Sequence, residues 1–363
     1  VPDYLETRMA HRPTHDLRAW DAYLTARDFY TQYDYVHNQN AIALFHEALR
    51  LDPDFGLAYA GLSDALVQES VFWNGQRLGQ AIDAAYKAMR LEPNRGESHK
   101  ALGMVLQARA RNDDALEAYR RATEIDPGAW QATYNAAVIL SDRDQLRESE
   151  ALLLRTLELV PHHNVAMSRL GDVYLQLGDV EQARHWLDRA MERSPLRPRA
   201  VASYATLDVV TGRTESAISR CEQVLVVFSD NYSCLRLIAT ARLMEGDWDE
   251  ACGLFNRMVG RWPEDGYARL GLAQALMANG KIDKANAHVD HVLDTSARKV
   301  AMHDHKSVDY WLLAAGHSIK GDDTGALRWL QTAADAGHNF YLWDSVEPAF
   351  DTLRDDSRFC LLY

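Results

Sequence analysis

The chain has 363 residues, of which 47% are hydrophobic and 25% charged, enough apolar material for a large folded core. A formal net charge of −13 argues against a broad surface for nucleic acid or anionic membrane, and no apolar run approaches the ~20 residues that span a bilayer. The four cysteines, Cys221, Cys234, Cys252 and Cys360, show no CxxC spacing; Cys221 and Cys252 fall on apolar helix phases and read as core thiols of a reducing, cytoplasmic setting.

Residues 1–19 read as a lead-in segment without a basic-then-apolar leader pattern, and a chain opening on Val1 is expected to be a piece or processed product of something longer. From about Trp20 the same words return. "AIALFHEALRLDPDF" begins at Ala41, "AIDAAYKAMRLEPNR" at Ala81 and "ALEAYRRATEIDPGA" at Ala115. A helix copied in this way cannot bury its apolar stripe alone, so the copies are expected to stack on one another. The first two copies are stretched, by "YDYVHNQN" before Ala41 and by "VFWNGQRLGQ" before Ala81.

The cleanest unit is Gly96 to Ala129. Its first half places Leu102, Gly103 and Leu106 on one helical face; "RARND" turns; its second half places Ala115, Tyr119 and Ala122 at i, i+4, i+7. Pro127 then ends the second helix, because proline has no N–H for the ladder. The small residues Gly103 and Ala115 let the paired helices approach, and Tyr119 fills the space beside them. Steps of 34 residues repeat the pattern from Trp130, Asn164, Pro198, Tyr232 and Gly266, although the Pro198 copy has Ser229 where proline is expected and the Gly266 copy also lacks the proline. "DTSARKVAMHDHK" from Asp294 breaks the rhythm and predicts a loop near 294–306, after which a last copy runs from Ser307 to about Phe340. Residues 341–363 carry Leu342, Trp343, Phe350, Leu353, Phe359 and Leu361, which are expected to cap the exposed face of the last pair.

The Leu102-Gly103, Leu106, Ala115, Tyr119, Ala122, Pro127 set and its equivalents resemble the tetratricopeptide repeat family over residues 20–340. The resemblance implies an all-α fold, a right-handed superhelical solenoid of about nine helix-turn-helix repeats, with the first helix of each pair lining a concave groove. "RPTHDLRAWDAYLTARDFY" and "EPAFDTLRDDSRFCLLY" are similar to the segments that bracket such arrays in bacterial multidomain regulators, which implies a winged-helix, cyclase or kinase module before Val1.

No HExxH, GxSxG, P-loop or strand-helix GxGxxG pattern is present, so the expected role is not enzymatic and no cofactor is implied. His288 and His291 at i, i+3, with His303 and His305 after them, have the spacing of metal ligands, but a solvated helix face followed by a polar loop explains them more simply. Well-known peptide-binding arrays of the family hold an acidic C-terminus with a clamp of Lys, Asn, Asn, Lys and Arg. Lys100, Asn135 and Arg169 match that set, whereas Met104 stands at the first-Asn position after Lys100 and Val165 replaces the second Lys. Asp172, three residues after Arg169, is placed to neutralise it. Arg199 and Arg236 extend the cationic character, and Leu237, Tyr267, Leu270 and Trp311 turn the later groove apolar, as a partner's pocket or as the seat of the protein's own C-terminal segment. The expected function is a protein-interaction scaffold holding an extended, acidic peptide at Lys100, Asn135, Arg169, Arg199, Arg236 and Tyr267. The alternative is a regulatory sensor domain binding a small acidic ligand there. Neither reading involves nucleic acid or membrane at the array itself.

Overall fold

The computed structural model describes residues 14–32, 34–73, 75–193, 197–302, 307–336 and 342–362, and all regular structure among them is helical. Contacts divide the chain into two compact units, residues 1–161 and 162–363. The N-terminal unit holds four helix pairs: α1 (Leu17–Tyr30) with α2 (Tyr35–Leu51), α3 (Gly56–Phe72) with α4 (Leu78–Leu91), α5 (Gly96–Ala108) with α6 (Asn112–Ile125), and α7 (Trp130–Ser141) with α8 (Leu146–Leu159). Five pairs follow in the C-terminal unit: α9 (Asn164–Gln176) with α10 (Val180–Arg193), α11 (Pro198–Val210) with α12 (Thr214–Val227), α13 (Tyr232–Glu245) with α14 (Trp248–Arg261), α15 (Gly266–Ala278) with α16 (Ile282–Ala301), and α17 (Ser307–Ile319) with α18 (Asp323–Asp335). The tail adds α19 (Leu342–Val346), a 3₁₀ helix at Pro348–Leu353 and α20 (Ser357–Cys360).

Proline sets the ends of α2 and α6. Asp52 and Asp126 take extended backbone directly before Pro53 and Pro127, because the proline ring excludes the α region for the residue before it. Packing within each pair depends on the small residues. A Cβ added to Gly103 would stand 2.5 Å from Cε1 of Tyr119, and one added to Gly171 would stand 2.6 Å from Leu187, so each glycine is the socket for the bulky residue of its partner helix. Ala115, Tyr119 and Ala122 are fully buried, as their spacing predicts.

From the third pair on, the turn inside each pair carries one residue in the left-handed region. Gly178, Gly212, Gly246 and Gly280 supply it at φ of 71–80°, in steps of 34 residues, but the same phase in the N-terminal unit is filled by Ala110 at φ 57° and Asp144 at φ 60°. An alanine there meets its own backbone, at a cost of roughly 1–2 kcal/mol. Glycine would also loosen the unfolded chain, by about 0.4–1 kcal/mol. Ala110→Gly is therefore expected to raise stability by up to about 1 kcal/mol, read as a higher urea midpoint; an unchanged or lower midpoint would contradict the strain.

Two expectations need correction. The predicted loop from Asp294 is helical as far as Ala301: α16 runs for 20 residues, and Val289, Val292 and Ser296 keep one buried face through the supposed break. The polar composition does not end the helix, because the 3.6-residue period of buried positions continues through it. Residues 303–306, with His303 and His305, lie outside the described residues. The tail, moreover, does not simply close the end of the last pair. Its 3₁₀ helix packs against α13, α15 and α17, and α19 packs against α11, so it lies along the first helices of successive repeats. Phe350, Leu353 and Phe359 are buried there, but Leu361 is 84% exposed and covers nothing.

Candidate functional site

In the N-terminal unit the first helices carry a line of polar side chains that satisfy one another. Arg27 on α1 donates to the Tyr23 hydroxyl at 2.8 Å, and its charge also acts on Asp64 and Glu97. Asp64 on α3 pairs with the Lys100 ammonium on α5, both almost fully buried, and Lys100 donates onward to Gln131 of α7 at 3.2 Å. Burial pushes the Asp64 carboxyl above its usual range, opposed by the neighbouring Lys100 charge. Lys100 is thus placed as half of a buried ion pair, with its charge already neutralised. Asn135 meets the Tyr119 hydroxyl, which also donates to Gln107 at 2.8 Å, so this amide helps seat the large side chain of the preceding pair.

In the C-terminal unit Arg169 on α9 is half-buried, and Asp172 pairs at 2.8 Å with Arg199 of α11. The carboxylate expected to neutralise Arg169 thus bridges to the next repeat. Farther on, the cationic and aromatic residues converge on one surface. The Arg236 guanidinium on α13 stands 4.7 Å from the centroid of the Trp343 indole. Tyr267 on α15 packs at 4.6 Å against Trp311 of α17, whose Nε1–H donates to Asp344 at 2.8 Å. Phe350 meets Trp311 edge-on at 5.4 Å, and Trp343 donates to Glu347 at 3.0 Å. Thr352 donates to Asp323 at 2.9 Å. Leu237 is not on this surface; it is buried with Val201, Cys221 and Cys234 in the core of the neighbouring pairs.

Spacing alone did not single out Thr240, Gln274, Asp344 and Glu347. Thr240 and Gln274 are 34 residues apart, one turn beyond the singled-out Arg236 and Leu270, and that phase was the available signal. With Arg236, Tyr267, Trp311 and Glu347 they enclose a cavity of about 20 Å³, room for about one water. Beside it a more open cleft of about 420 Å³ is lined chiefly by Leu243, Met244, Trp248, Met277, Ile319 and Pro348.

Glu347 gives this surface a pH dependence. Burial pushes its carboxyl up to about 7, against the pull of Arg236, the Trp343 N–H and the Ala349 amide, with Asp344 adding a further upward push. A folded value above the unfolded one means that the docked form holds a proton the free form has lost. The contribution is fully present below about 4.5 and is lost as pH rises through about 7. Amide protection of residues 348–353, corrected for intrinsic exchange, is expected to fall between pH 5 and 8, and Glu347→Gln to flatten the profile. Equal slopes in parent and variant would remove Glu347 as the cause.

His288 stands 3.4 Å from the Arg269 guanidinium, and burial, that charge and His291 all lower its pKa. No group of three or more His, Cys, Asp or Glu among the described residues has metal-holding geometry, and no described helix is long and apolar enough to cross a membrane.

Two tetratricopeptide repeat family models match the chain, one over residues 100–144 and 139–198 and the other over 242–303. Residues 100–198 and 242–303 carry tetratricopeptide repeats. BBSome complex member BBS4 of Bos taurus is 22% identical over 161 residues, 44% of this chain and 31% of that protein. The peroxisomal targeting signal receptor of Saccharomyces cerevisiae is 29% identical over 103 residues, 28% of this chain and 16% of that protein. The chain therefore spans less than a third of the length of these relatives. Among solved structures, the APC/C hetero-tetramer Cut9-Hcn1 shares the fold with a TM-score of 0.61 at 14% identity, over 91% of this chain and 58% of that one. Tetratricopeptide repeats generally mediate protein–protein interaction.

Proposed function

We propose that the chain is a non-catalytic scaffold that recruits a protein partner by an acidic, aromatic-bearing segment laid across the first helices of the C-terminal unit. The observation that carries this reading is the seating of residues 342–353, an acidic stretch, against α11, α13, α15 and α17 through Arg236, Tyr267 and Trp311. A cation facing an indole gains energy that does not depend on a fixed hydrogen-bond direction, and a buried indole N–H facing a carboxylate adds orientation. Arg199 and Arg169 extend the same reading toward α9, while Lys100 and Asn135 serve the folding of the N-terminal unit. The similarity to a protein named as a peroxisomal targeting signal receptor supports a binding role. A photo-crosslinking residue at Met277, beside the open cleft, is expected to join the partner, and one at the exposed Arg257 of α14 is not. Crosslinking at Arg257 alone would move the interface to the second helices and end this reading.

A further inference from the structure

The tail is a resident occupant of the surface proposed above. Its three helices have five, six and four residues, too short to hold themselves together in water, so their structure comes from the surface beneath them. Its anchors are few and separable. Trp343 lies over Arg236, Asp344 accepts from Trp311, Glu347 sits beside Arg236, Pro348 opens the 3₁₀ turn, and Phe350 fills the edge of Trp311. In order along the chain these spell an indole, a carboxylate, two residues, a second carboxylate, a proline and, two residues on, a phenyl ring.

We propose that this pattern is the recognition code of the C-terminal unit, and that a partner segment with the same indole–carboxylate–carboxylate–Pro–phenyl chemistry exchanges with residues 342–353. Charge complementarity favours this occupant: Arg236 faces an indole and a carboxylate supplied by the tail. The open cleft beside Pro348 and Ala349 gives an incoming chain a foothold before the resident leaves, because Trp248, Met244 and Met277 are already partly exposed there. The inference rests on the scaffold reading, but it is tested without the natural partner.

The probe is a fluorescent peptide of residues 341–353, titrated into the full chain. In the parent the resident segment competes, and binding is expected to be weak. In the Trp343→Ala chain, and more so with Phe350→Ala added, the resident is loosened and the peptide is expected to bind at least tenfold tighter. Adding Arg236→Glu should cancel that gain, and a peptide with scrambled order should not bind. Equal affinity in parent and loosened chains would overturn the exchange, as would full amide protection of residues 348–353 in the variants. Unfolding of the whole unit in the single variant would also overturn it, by making the tail an integral layer of the fold. Concentration-dependent dimers of the parent in sedimentation would give the surface to a second copy's tail instead of a partner's. Failure of the Met277 crosslink with intact peptide exchange would remove the scaffold reading and leave this chemistry standing.

Discussion

Lys100→Ala is expected to destabilise the N-terminal unit by about 3–5 kcal/mol, the usual cost of leaving one member of a buried ion pair alone. Asp64 would then stand inside the protein with Arg27, at a distance, to offset its charge. Its carboxyl, already raised by burial, would take up a proton, and part of the loss would appear as a steeper dependence of stability on pH. Lys100→Glu is expected to be worse, since it brings two carboxylates together where neither reaches water. The double change Lys100→Met with Asp64→Leu removes both charges at similar volume and should recover most of the stability, because such pairs contribute little beyond what apolar packing would supply. Urea unfolding followed by circular dichroism, with amide exchange in α3 and α5, reads the difference. A Lys100→Ala protein with the parent's midpoint would show that this ammonium is not needed for the fold and would return it to the ligand-binding candidates.

Phe350→Ala is expected to open the tail and leave the repeats folded. Truncating a fully buried phenylalanine costs about 3–5 kcal/mol where the site cannot collapse. Here the ring is held by Trp311 at 5.4 Å and Phe359 at 5.7 Å, so its loss uncovers both. The measured cost has a ceiling, however: once it exceeds the free energy of docking, the segment leaves and no further loss accrues. Amide protection in residues 348–353 should therefore fall far more than the melting temperature, and protection in α9 and α10 should stay as it was. If residues 348–353 kept their protection, the phenyl ring would not be the anchor that its burial indicates. If α9 and α10 lost theirs together with the tail, the tail would belong to one cooperative unit with the repeats.

The repeat was legible in the residues because it is a local code. A glycine or alanine facing a bulky residue and an apolar stripe of period 3.6 act within about 34 residues and recur along the array, with a closing Pro in most copies. Gly103 against Tyr119 and Gly171 against Leu187 could be read before any coordinates, since close approach needs a missing Cβ on one side and bulk on the other. Where local polarity disagreed with the period, at residues 294–301, the period prevailed, because burial of Val292 and Ser296 outweighs the turn preference of Asp294 and Thr295. The site was only half legible. Charge at Lys100 and Arg236 was visible, but whether a charge meets solvent, a ligand or another side chain is set by residues far away in sequence. Asp64 is 36 residues from Lys100, Arg199 is 27 from Asp172, and Trp343 is more than 100 from Arg236, and no periodicity links the last pair. Only the tertiary structure turned one expected anchor into a buried ion pair and seated the acidic tail on another, because desolvation and pairing depend on what the packed chain brings alongside each charge.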